Sequence, residues 1–280
     1  MNKLIDLEHI FQKELNKIYS KNEISNILNL LIEYEFNKKR ISLIIDDQLS
    51  KSLNFKKILN HIKILKNGYP IHYIIGFKEF FNCLIRVNNK VLIPRVETEE
   101  LVYWVLEHIK TNQRILDLCT GSGCIAVSLA KNTDCKLTAV DISKEALILA
   151  NENSKMNNTS VDFICADVLK NNFKNLKKQH IIVSNPPYVL NSQKKYMHKN
   201  VLSYEPHLAI FVDDDNPLIF YEKIINISIK KLLKNGFLFF EINESFGSQI
   251  FYILEKKGFK NIIIKNDIHG KQRLVKAQLI

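Results

Sequence analysis

The sequence predicts an α/β protein in which a small N-terminal helical bundle and a connecting β-hairpin precede a doubly wound, seven-stranded mixed sheet. Three observations support this prediction. Apolar residues recur at helical spacing up to about residue 67, residues 77–93 alternate like a hairpin, and helix and strand patterns alternate from residue 97 onward. The expected domains are a helical domain at residues 1–75, a connector at residues 76–96 and an α/β domain at residues 97–280.

The predicted bundle rests on two stripes of apolar residues that are spaced as on one face of a helix. No glycine interrupts them before Gly68. The segment Asn-Gly-Tyr-Pro at residues 67–70 ends the helical region, and we expect Val-Asn-Asn-Lys-Val at residues 87–91 to supply the turn of the hairpin. The stripes consist of Leu4, Leu7, Ile10, Phe11, Leu15 and Ile18, and of Ile24, Ile27, Leu28, Leu31 and Ile32.

The second part of the chain predicts a largely parallel sheet covered by helices, because strands that alternate with helices pair in parallel. Its last two strands predict an antiparallel pair. Sheets of this kind bind ligands at the carboxyl ends of their strands, where the strand order reverses. The predicted elements are helices 97–110, 123–131, 143–154, 217–234 and 246–257, and strands 114–118, 136–141, 161–165, 179–184, 237–242, 260–265 and 273–279.

The composition is that of an ordinary globular protein, with 46% hydrophobic and 25% charged residues among 280. This balance excludes a disordered or fibrous chain. The apolar runs are strand-sized and the first residues resemble no signal or transit peptide, so we expect a cytoplasmic protein. The formal charge of +11 comes from lysines that are spread along the chain. This spread favours a solvated basic surface over direct nucleic-acid binding.

The five cysteines form no Cys-x-x-Cys pair, and no histidine cluster lies beside them. We therefore expect neither a disulfide framework nor a metal site, and we interpret all five as small buried residues. They are Cys83, Cys119, Cys124, Cys135 and Cys165.

A glycine loop between a predicted strand and a predicted helix is the first candidate for ligand binding. The chain has only eight glycines, and Gly121 and Gly123 both fall in this loop. Glycine lets the backbone turn sharply and approach a ligand, and the helix that follows offers free N–H groups. Asp141 ends the next strand, where a carboxylate can accept both hydroxyls of a ribose. Asp167 follows the third strand, where it can accept from an adenine amino group.

The loop alone does not decide between cofactors. It also fits the dinucleotide pattern with alanine last, with Asp141 at the spacing expected for a nicotinamide ribose, and a tight turn without a ligand is a further alternative. Asp117 favours S-adenosylmethionine, because a carboxylate that closes the first strand can hold the ammonium of that cofactor. A charge partner for the helix N-terminus is the competing interpretation of Asp117.

The tetrapeptide Asn-Pro-Pro-Tyr at residues 185–188 follows the predicted strand 179–184 and indicates methyl transfer to an amide or amine nitrogen. An amide nitrogen is a poor nucleophile, so it must be held in a geometry that frees its lone pair. Asn185 can accept one N–H through its side-chain oxygen, and Pro186 can accept the other through its carbonyl. Pro187 stiffens the turn, and Tyr188 offers a flat face for a planar group.

At these residues the sequence resembles the protein-(glutamine-N5) methyltransferases that modify peptide-chain release factors, the PrmC or HemK family. The resemblance covers almost the whole chain. It implies a Rossmann-like class I S-adenosylmethionine methyltransferase domain, no metal and a monomer. Besides the loop and the tetrapeptide, it rests on Pro-Ile-His-Tyr-Ile-Ile-Gly at 70–76, Leu-Ile-Pro-Arg-Val-Glu-Thr-Glu at 92–99, Tyr-Glu-Pro-His-Leu-Ala at 204–209 and Gly-Lys-Gln-Arg at 270–273.

The resemblance also implies roles for individual residues. The four residues of the tetrapeptide would hold the glutamine of a Gly-Gly-Gln tripeptide, and the N-terminal helices would dock the release factor. Arg95 and Glu97 are further site candidates, with an ion pair and a helix-start carboxylate as their structural alternatives. The implied cofactor contacts are Asp117, Cys119, Thr120, Gly121, Ser122, Gly123, Asp141, Asp167, Val168 and Asn185.

The sequence departs from the family pattern at three positions, none of which carries a proposed catalytic group. Cys119 stands where glycine is frequent, His72 where glutamine is frequent and Val96 where proline is frequent. Glu205 and His207, in the 204–209 segment, are interpreted as structural rather than catalytic.

Two other functions compete. A nucleic-acid methyltransferase acts on exocyclic amines that the same tetrapeptide suits. The chain argues against a DNA enzyme, because it has no room for a target-recognition domain and its N-terminal helices lack interleaved aromatic and basic residues. An RNA acceptor stays open as the alternative, because the chain is positively charged. A nicotinamide-dependent oxidoreductase needs a second mononucleotide-binding half, for which the sequence has no pattern.

Overall fold

The computed structural model describes residues 4–171 and 173–280, without the side chains of residues 47, 50 and 51. The first three residues, on which the expectation about targeting partly rests, lie outside it. The described chain forms two compact units. One runs to Gly76 and includes His198–Tyr204, and the other consists of Phe77–Met197 and Glu205–Ile280.

The first unit is helical, and the two predicted stripes form its core. Leu7, Phe11 and Leu31 are fully buried. Ile18 was predicted to continue the first stripe, but it lies beyond the end of its helix and is exposed. The helices are α1 (Leu4–Leu15), α2 (Lys21–Phe36), α3 (Arg40–Ile45), α4 (Asp47–Ser52), α5 (Lys56–Asn60), α6 (Ile62–Lys66) and α7 (Ile71–Ile75), and Lys199–Tyr204 also belongs to this unit.

The hairpin at the start of the second unit has a different turn from the predicted one. Strands β1 (Phe77–Phe80) and β2 (Cys83–Arg86) pair around Phe81 and Asn82, whose φ angles are 43° and 60°. Two successive left-handed residues suit the right-handed twist of a two-residue hairpin. The segment 87–91 also turns, since the N–H of Val91 donates to the carbonyl of Asn88. That turn leads out of the hairpin instead of closing it.

The central sheet has seven strands in the described residues, in the order β10-β11-β9-β6-β3-β4-β5. Five strands run parallel, and β11 is antiparallel to both neighbours, which confirms the predicted antiparallel pair. The strands are β3 (Arg114–Leu118), β4 (Lys136–Asp141), β5 (Val161–Cys165), β6 (Gln179–Ser184), β9 (Leu232–Glu241), β10 (Phe259–Asn266) and β11 (Gln272–Leu279), with β7 (Val189–Leu190) and β8 (Phe211–Val212) forming a separate pair.

Helices cover both faces of the sheet, as expected for a doubly wound fold. On one face, Ile224 and Ile250 pack with alternate strand residues such as Leu116. On the other, the ring of Trp104 lies 5.6 Å from that of Phe239. The α-helices of this unit are α8 (Val96–Leu106), α9 (Cys124–Asn132), α10 (Lys144–Met156), α12 (Ile219–Lys231) and α13 (Gly247–Lys256), while α11 (Lys199–Tyr204) belongs to the first unit. None of the described helices is long and apolar enough to cross a membrane.

The prediction that all five cysteines are buried is wrong for two of them. Cys165 is exposed and Cys119 is half-buried, whereas the other three are buried. Cys165 ends β5, which is the edge strand of the sheet and therefore packs against a neighbour on one side only.

The strand order reverses between β3 and β6. From β3 the chain proceeds to β4 and β5 on one side and then returns to form β6 on the other. The register pairs Leu118 with Ser184, so the glycine loop and the tetrapeptide leave the sheet side by side. The fold thus brings the two segments that the sequence singled out to the topological switch point.

Candidate active site

A cavity of about 670 Å³ lies at the carboxyl ends of β3, β4, β5 and β6. The volume is within the range of small-molecule and cofactor sites. All of its lining residues belong to the second unit. Of the predicted site residues, those that line it are Arg95, Cys119, Thr120, Gly121, Ser122, Asp141, Asp167, Val168, Asn185 and Pro187.

The glycine loop reaches the cavity through left-handed backbone. Cys119, Gly121 and Gly123 have φ angles of 62°, 55° and 78°. No atom lies within 4 Å of the place where a Cβ of Gly121 would stand, whereas a Cβ on Gly123 would meet that of Ala150 at 2.9 Å. Gly121 therefore opens the loop toward a ligand. Gly123, which does not line the cavity, allows α9 to pack against α10.

Asp141 holds the loop and faces the cavity at the same time. Its Oδ2 accepts the N–H of Gly121 at 2.8 Å and its Oδ1 accepts the N–H of Ser143 at 2.9 Å. Burial raises the pKa of this carboxyl, while the backbone N–H groups oppose the shift. Each carboxylate oxygen keeps a second lone pair. The arrangement can accept two neighbouring hydroxyls, as the sequence predicted for a ribose.

Asp117 lies beneath the loop. Its side chain is fully buried, its Oδ2 accepts the hydroxyl of Thr120 at 2.5 Å, and its Oδ1 has no hydrogen-bond partner among the described residues. Burial raises the pKa of Asp117 to about 7. The carboxylate does not line the cavity. Asp117 thus supports the loop from below through Thr120, and its expected contact with a ligand ammonium stays a prediction.

Asp167 and Val168 form the far side of the cavity. Val168 is buried there, and the Oδ1 of Asp167 accepts the N–H of Leu169 at 2.9 Å. The other oxygen of Asp167 lies 3.6 Å from the ammonium of Lys170. An apolar wall beside a carboxylate suits a planar heterocycle that carries an amino group.

Asn185 stands at the end of β6 and lines the cavity near the glycine loop. Its Nδ2 donates to the hydroxyl oxygen of Thr98 at 3.2 Å, and that hydroxyl donates to Glu241 at 2.6 Å. The hydroxyl of Ser184 donates to the carbonyl of Leu118 at 2.6 Å, which ties the end of β6 to that of β3. The amide of Asn185 is thus anchored on one side and reaches the cavity.

The other three residues of the tetrapeptide occupy different environments. Pro186 is buried, and Pro187 lines the cavity. The hydroxyl of Tyr188 donates to Glu241 at 2.8 Å, and the guanidinium of Arg273 lies 5.9 Å from the ring centroid of Tyr188. Burial raises the pKa of Tyr188 well above its ordinary value. Tyr188 is therefore a protonated hydrogen-bond donor and does not line the cavity.

The two further candidates occupy different places. Arg95 lines the cavity and pairs with the buried Glu205 at 2.7 Å, and Glu205 also accepts the N–H of Ile93 at 3.1 Å. These contacts agree with a structural role for Glu205. Glu97 does not line the cavity, and it lies 3.6 Å from the ring nitrogen of His269.

Sequence reasoning assigned no role to Thr98, Glu241 or Arg273. Glu241 has a recognisable signal, since it is an acidic residue that closes an apolar strand, as Asp117 does. Arg273 belongs to the Gly-Lys-Gln-Arg segment, where its Nε donates to the buried Asp267 at 3.0 Å. Thr98 has no signal of its own beyond its place in the 92–99 segment.

The sheet order, the loop after β3 and the acidic residues after β4 and β5 define a class I methyltransferase, the class that uses S-adenosylmethionine. The family model "Methyltransferase small domain" matches residues 98–205. The crystal structure of a methyltransferase from Pyrococcus furiosus is similar with a TM-score of 0.53 and 19% identity, covering 79% of this chain and 98% of that one. At this identity the similarity shows the fold alone.

The curated relatives are more specific. The release factor glutamine methyltransferase of Flavobacterium psychrophilum is 42% identical over 277 residues, which is 95% of this chain and 96% of the relative. That of Bacteroides thetaiotaomicron is 41% identical and covers 79% of this chain and 80% of the relative. The chain belongs to the release factor glutamine methyltransferase family.

Proposed function

We propose that this protein transfers a methyl group from S-adenosylmethionine to the side-chain amide nitrogen, N5, of the glutamine in the Gly-Gly-Gln motif of peptide-chain release factors. The observation that carries the proposal is the position of Asn185, whose amide lines the cavity beside the glycine loop. A methyl donor in the cavity and an acceptor amide at Asn185 would then lie next to each other. The names of the relatives support the identity of the acceptor.

The residues of the cavity fit this cofactor. Its ribose hydroxyls match the remaining lone pairs of Asp141, and its adenine matches the wall of Val168 with Asp167 beside it. The open side of Gly121 leaves room for close approach to the loop. We assign Cys119, Thr120 and Ser122 to the same group of contacts, and Asp117 and Gly123 to the support of the loop.

The chemistry required of the chain is orientation. When bound, S-adenosylmethionine would supply a methyl group on a positively charged sulfur and leave as S-adenosylhomocysteine, so the acceptor needs no strong base before attack. The side-chain oxygen of Asn185 and the backbone carbonyl of Pro186 accept the two N–H groups of the glutamine amide, which turns the nitrogen lone pair toward the methyl group. The nitrogen becomes acidic as it is alkylated and releases its proton to water. Tyr188 and Pro187 hold the turn that presents these two acceptors.

We further propose that residues 1–75 dock the release factor, that residues 76–96 connect the docking and catalytic domains, and that residues 97–280 carry out the transfer. The enzyme acts in the cytoplasm as a monomer, without a metal. A protein acceptor accounts for the helical unit, which contributes no residue to the lining of the cavity.

The test is transfer of label from methyl-labelled S-adenosylmethionine to separate acceptors. We expect label on intact release factor and none on a release factor with Gln→Ala in its Gly-Gly-Gln tripeptide. Total RNA serves as the third acceptor. Label on RNA alone would overturn the proposal in favour of an exocyclic-amine methyltransferase.

A further inference from the structure

We propose that Glu241 and Thr98 are positioning residues that fix the amide of Asn185 in the orientation that presents its oxygen, and not its NH2 group, to the acceptor. The inference rests on the proposed function, because it concerns the group that receives the acceptor N–H. It adds two residues from distant parts of the chain to that site. Thr98 lines the cavity together with Asn185, whereas Glu241 does not line it, and the role proposed for both is to orient the Asn185 amide.

The contacts form a chain from a buried carboxylate to the cavity. Thr98 donates its hydroxyl proton to Oε2 of Glu241 at 2.6 Å, and the oxygen of Thr98 accepts the Nδ2 of Asn185 at 3.2 Å. Thr98 and Glu241 are each 2% exposed. Water therefore has little access to these two side chains and does not readily replace the hydrogen bond between them.

The direction of each hydrogen bond follows from the carboxylate. An ionised carboxylate only accepts, and a threonine hydroxyl has a single proton. Because the single hydroxyl proton of Thr98 is used in the hydrogen bond to Glu241, the Thr98 oxygen can only accept a hydrogen bond from Asn185. The NH2 group of Asn185 must then face Thr98, which leaves the amide oxygen on the opposite side.

Glu241 is itself held in place by other groups. Its Oε1 accepts the hydroxyl of Tyr188 at 2.8 Å, so both carboxylate oxygens are engaged. Burial raises the pKa of Glu241, whereas the two hydroxyl donors and the nearby charge of Arg273 favour its ionised form. The NH1 group of Arg273 donates to the carbonyl of Ile242 at 3.1 Å, which fixes the guanidinium beside this cluster.

The orientation matters because the two ends of an asparagine amide have nearly the same shape and opposite polarity. With the amide reversed, an NH2 group would face the N–H of the acceptor, and both donors would lose their partners. Because the two ends have nearly the same shape, packing distinguishes the two orientations poorly, and the hydrogen bond to Thr98 supplies the polarity that selects one of them.

The experiment compares Thr98→Val with Thr98→Ser. Valine keeps the size of threonine without the hydroxyl, and serine keeps the hydroxyl without the methyl group. We expect Thr98→Val to lower kcat about 10- to 100-fold, the effect of a misplaced reacting group. Its dissociation constant for S-adenosylhomocysteine should stay within about twofold of wild type, since valine keeps the shape of the cavity wall at Thr98 and the cofactor contacts are assigned to other residues. Thr98→Ser should restore most of kcat.

Glu241→Gln supplies a second test. The hydroxyls of Thr98 and Tyr188 each donate to one carboxylate oxygen of Glu241, whereas glutamine has only one oxygen in its amide. We expect its kcat to fall as for Thr98→Val. Wild-type kcat in Thr98→Val would overturn the inference, as would a Thr98→Ser enzyme as slow as Thr98→Val. Failure of the proposed function is recognised separately, because the wild-type enzyme would then label RNA and not release factor. The same variants would be measured on that acceptor.

Discussion

Asn185 is the residue that is expected to bind and orient the amide of the substrate. The side chain makes its own hydrogen bond to Thr98 with Nδ2, and its oxygen remains for a partner in the cavity. No other asparagine in the described part of the chain ends a parallel strand beside the glycine loop. This position, and not the chemistry of asparagine as such, makes it an acceptor for a substrate N–H.

Asn185→Ala is expected to lower methyl transfer to release factor by at least about 100-fold, comparable with the loss of a transition-state hydrogen bond in other enzymes. Affinity for S-adenosylhomocysteine should be spared, because the lost oxygen serves the acceptor. Turnover numbers and a binding titration measure the two effects. Asn151→Ala, at an exposed position of α10, is the control. Wild-type turnover in Asn185→Ala would contradict the mechanism.

Cys119 shows how a departure from the family pattern is accommodated. Its φ angle of 62° lies in the left-handed region, which explains why glycine is frequent at this position. A cysteine there carries a backbone cost of about 1–2 kcal/mol. Its side chain packs against the hydrophobic core under the loop, and this contact offsets part of that cost.

The packing of α9 against α10 sets the position of the glycine loop. Gly123 stands at the start of α9, and a Cβ there would lie 2.9 Å from the Cβ of Ala150. Asn153, one turn further along α10, donates to the carbonyl of Ser122 at 2.9 Å and exchanges hydrogen bonds with the backbone of Arg86. One helix therefore supports both the cofactor loop and the hairpin.

Gly123→Ala is expected to destabilise the protein and to weaken S-adenosylhomocysteine binding, because the clash pushes the two helices apart. Gly258→Ala is the matched control, since its φ angle of 89° is also left-handed and a Cβ there meets no atom within 4 Å. The excess cost of Gly123→Ala should be about 1–3 kcal/mol. Urea unfolding measures it. The double variant Gly123→Ala with Ala150→Gly should recover part of the loss, and equal costs at positions 123 and 258 would rule out the clash.

At the scale of the whole molecule, the buried carboxyl of Asp117 links global stability to pH. Its folded pKa is raised to about 7 from an ordinary value of 3.8. The folded state therefore holds this proton more tightly than the unfolded state does. The contribution of Asp117 to the free energy of unfolding is fully present below pH 4 and is lost as the pH rises through the folded pKa near 7.

Asp117→Asn should remove this pH dependence. Wild type loses the contribution of Asp117 between about pH 4 and pH 7, and the variant has no such loss. The free energy of unfolding of the variant minus that of wild type should therefore increase over this range by at most about 4 kcal/mol, and should stay constant at higher pH. Urea unfolding at a series of pH values measures the difference, with the exposed Asp134→Asn as control for the loss of a charge. A difference that decreases with rising pH would contradict the assigned direction.

Short segments of sequence were sufficient to predict the elements and the two site segments. Helical spacing, strand alternation and the placement of Gly121 and of residues 185–188 express conformational preferences of a few neighbouring residues, so they can be recognised without the fold. The sequence pattern predicts the hairpin turn at the wrong segment, because both Phe81-Asn82 and residues 87–91 form turns. Which of the two closes the hairpin depends on strand pairing.

The sequence by itself thus determined the fold class, the strand-to-loop positions of the site and the family to which the chain belongs. Only the tertiary structure decided that Asp117 and Gly123 lie behind the cavity wall, and that Thr98 meets Glu241, 143 residues away. The physical reason is the order of the strands. Glu241 comes beside the tetrapeptide because β9 pairs with β6, and hydrogen-bond polarity between such distant residues exists only once that sheet has formed.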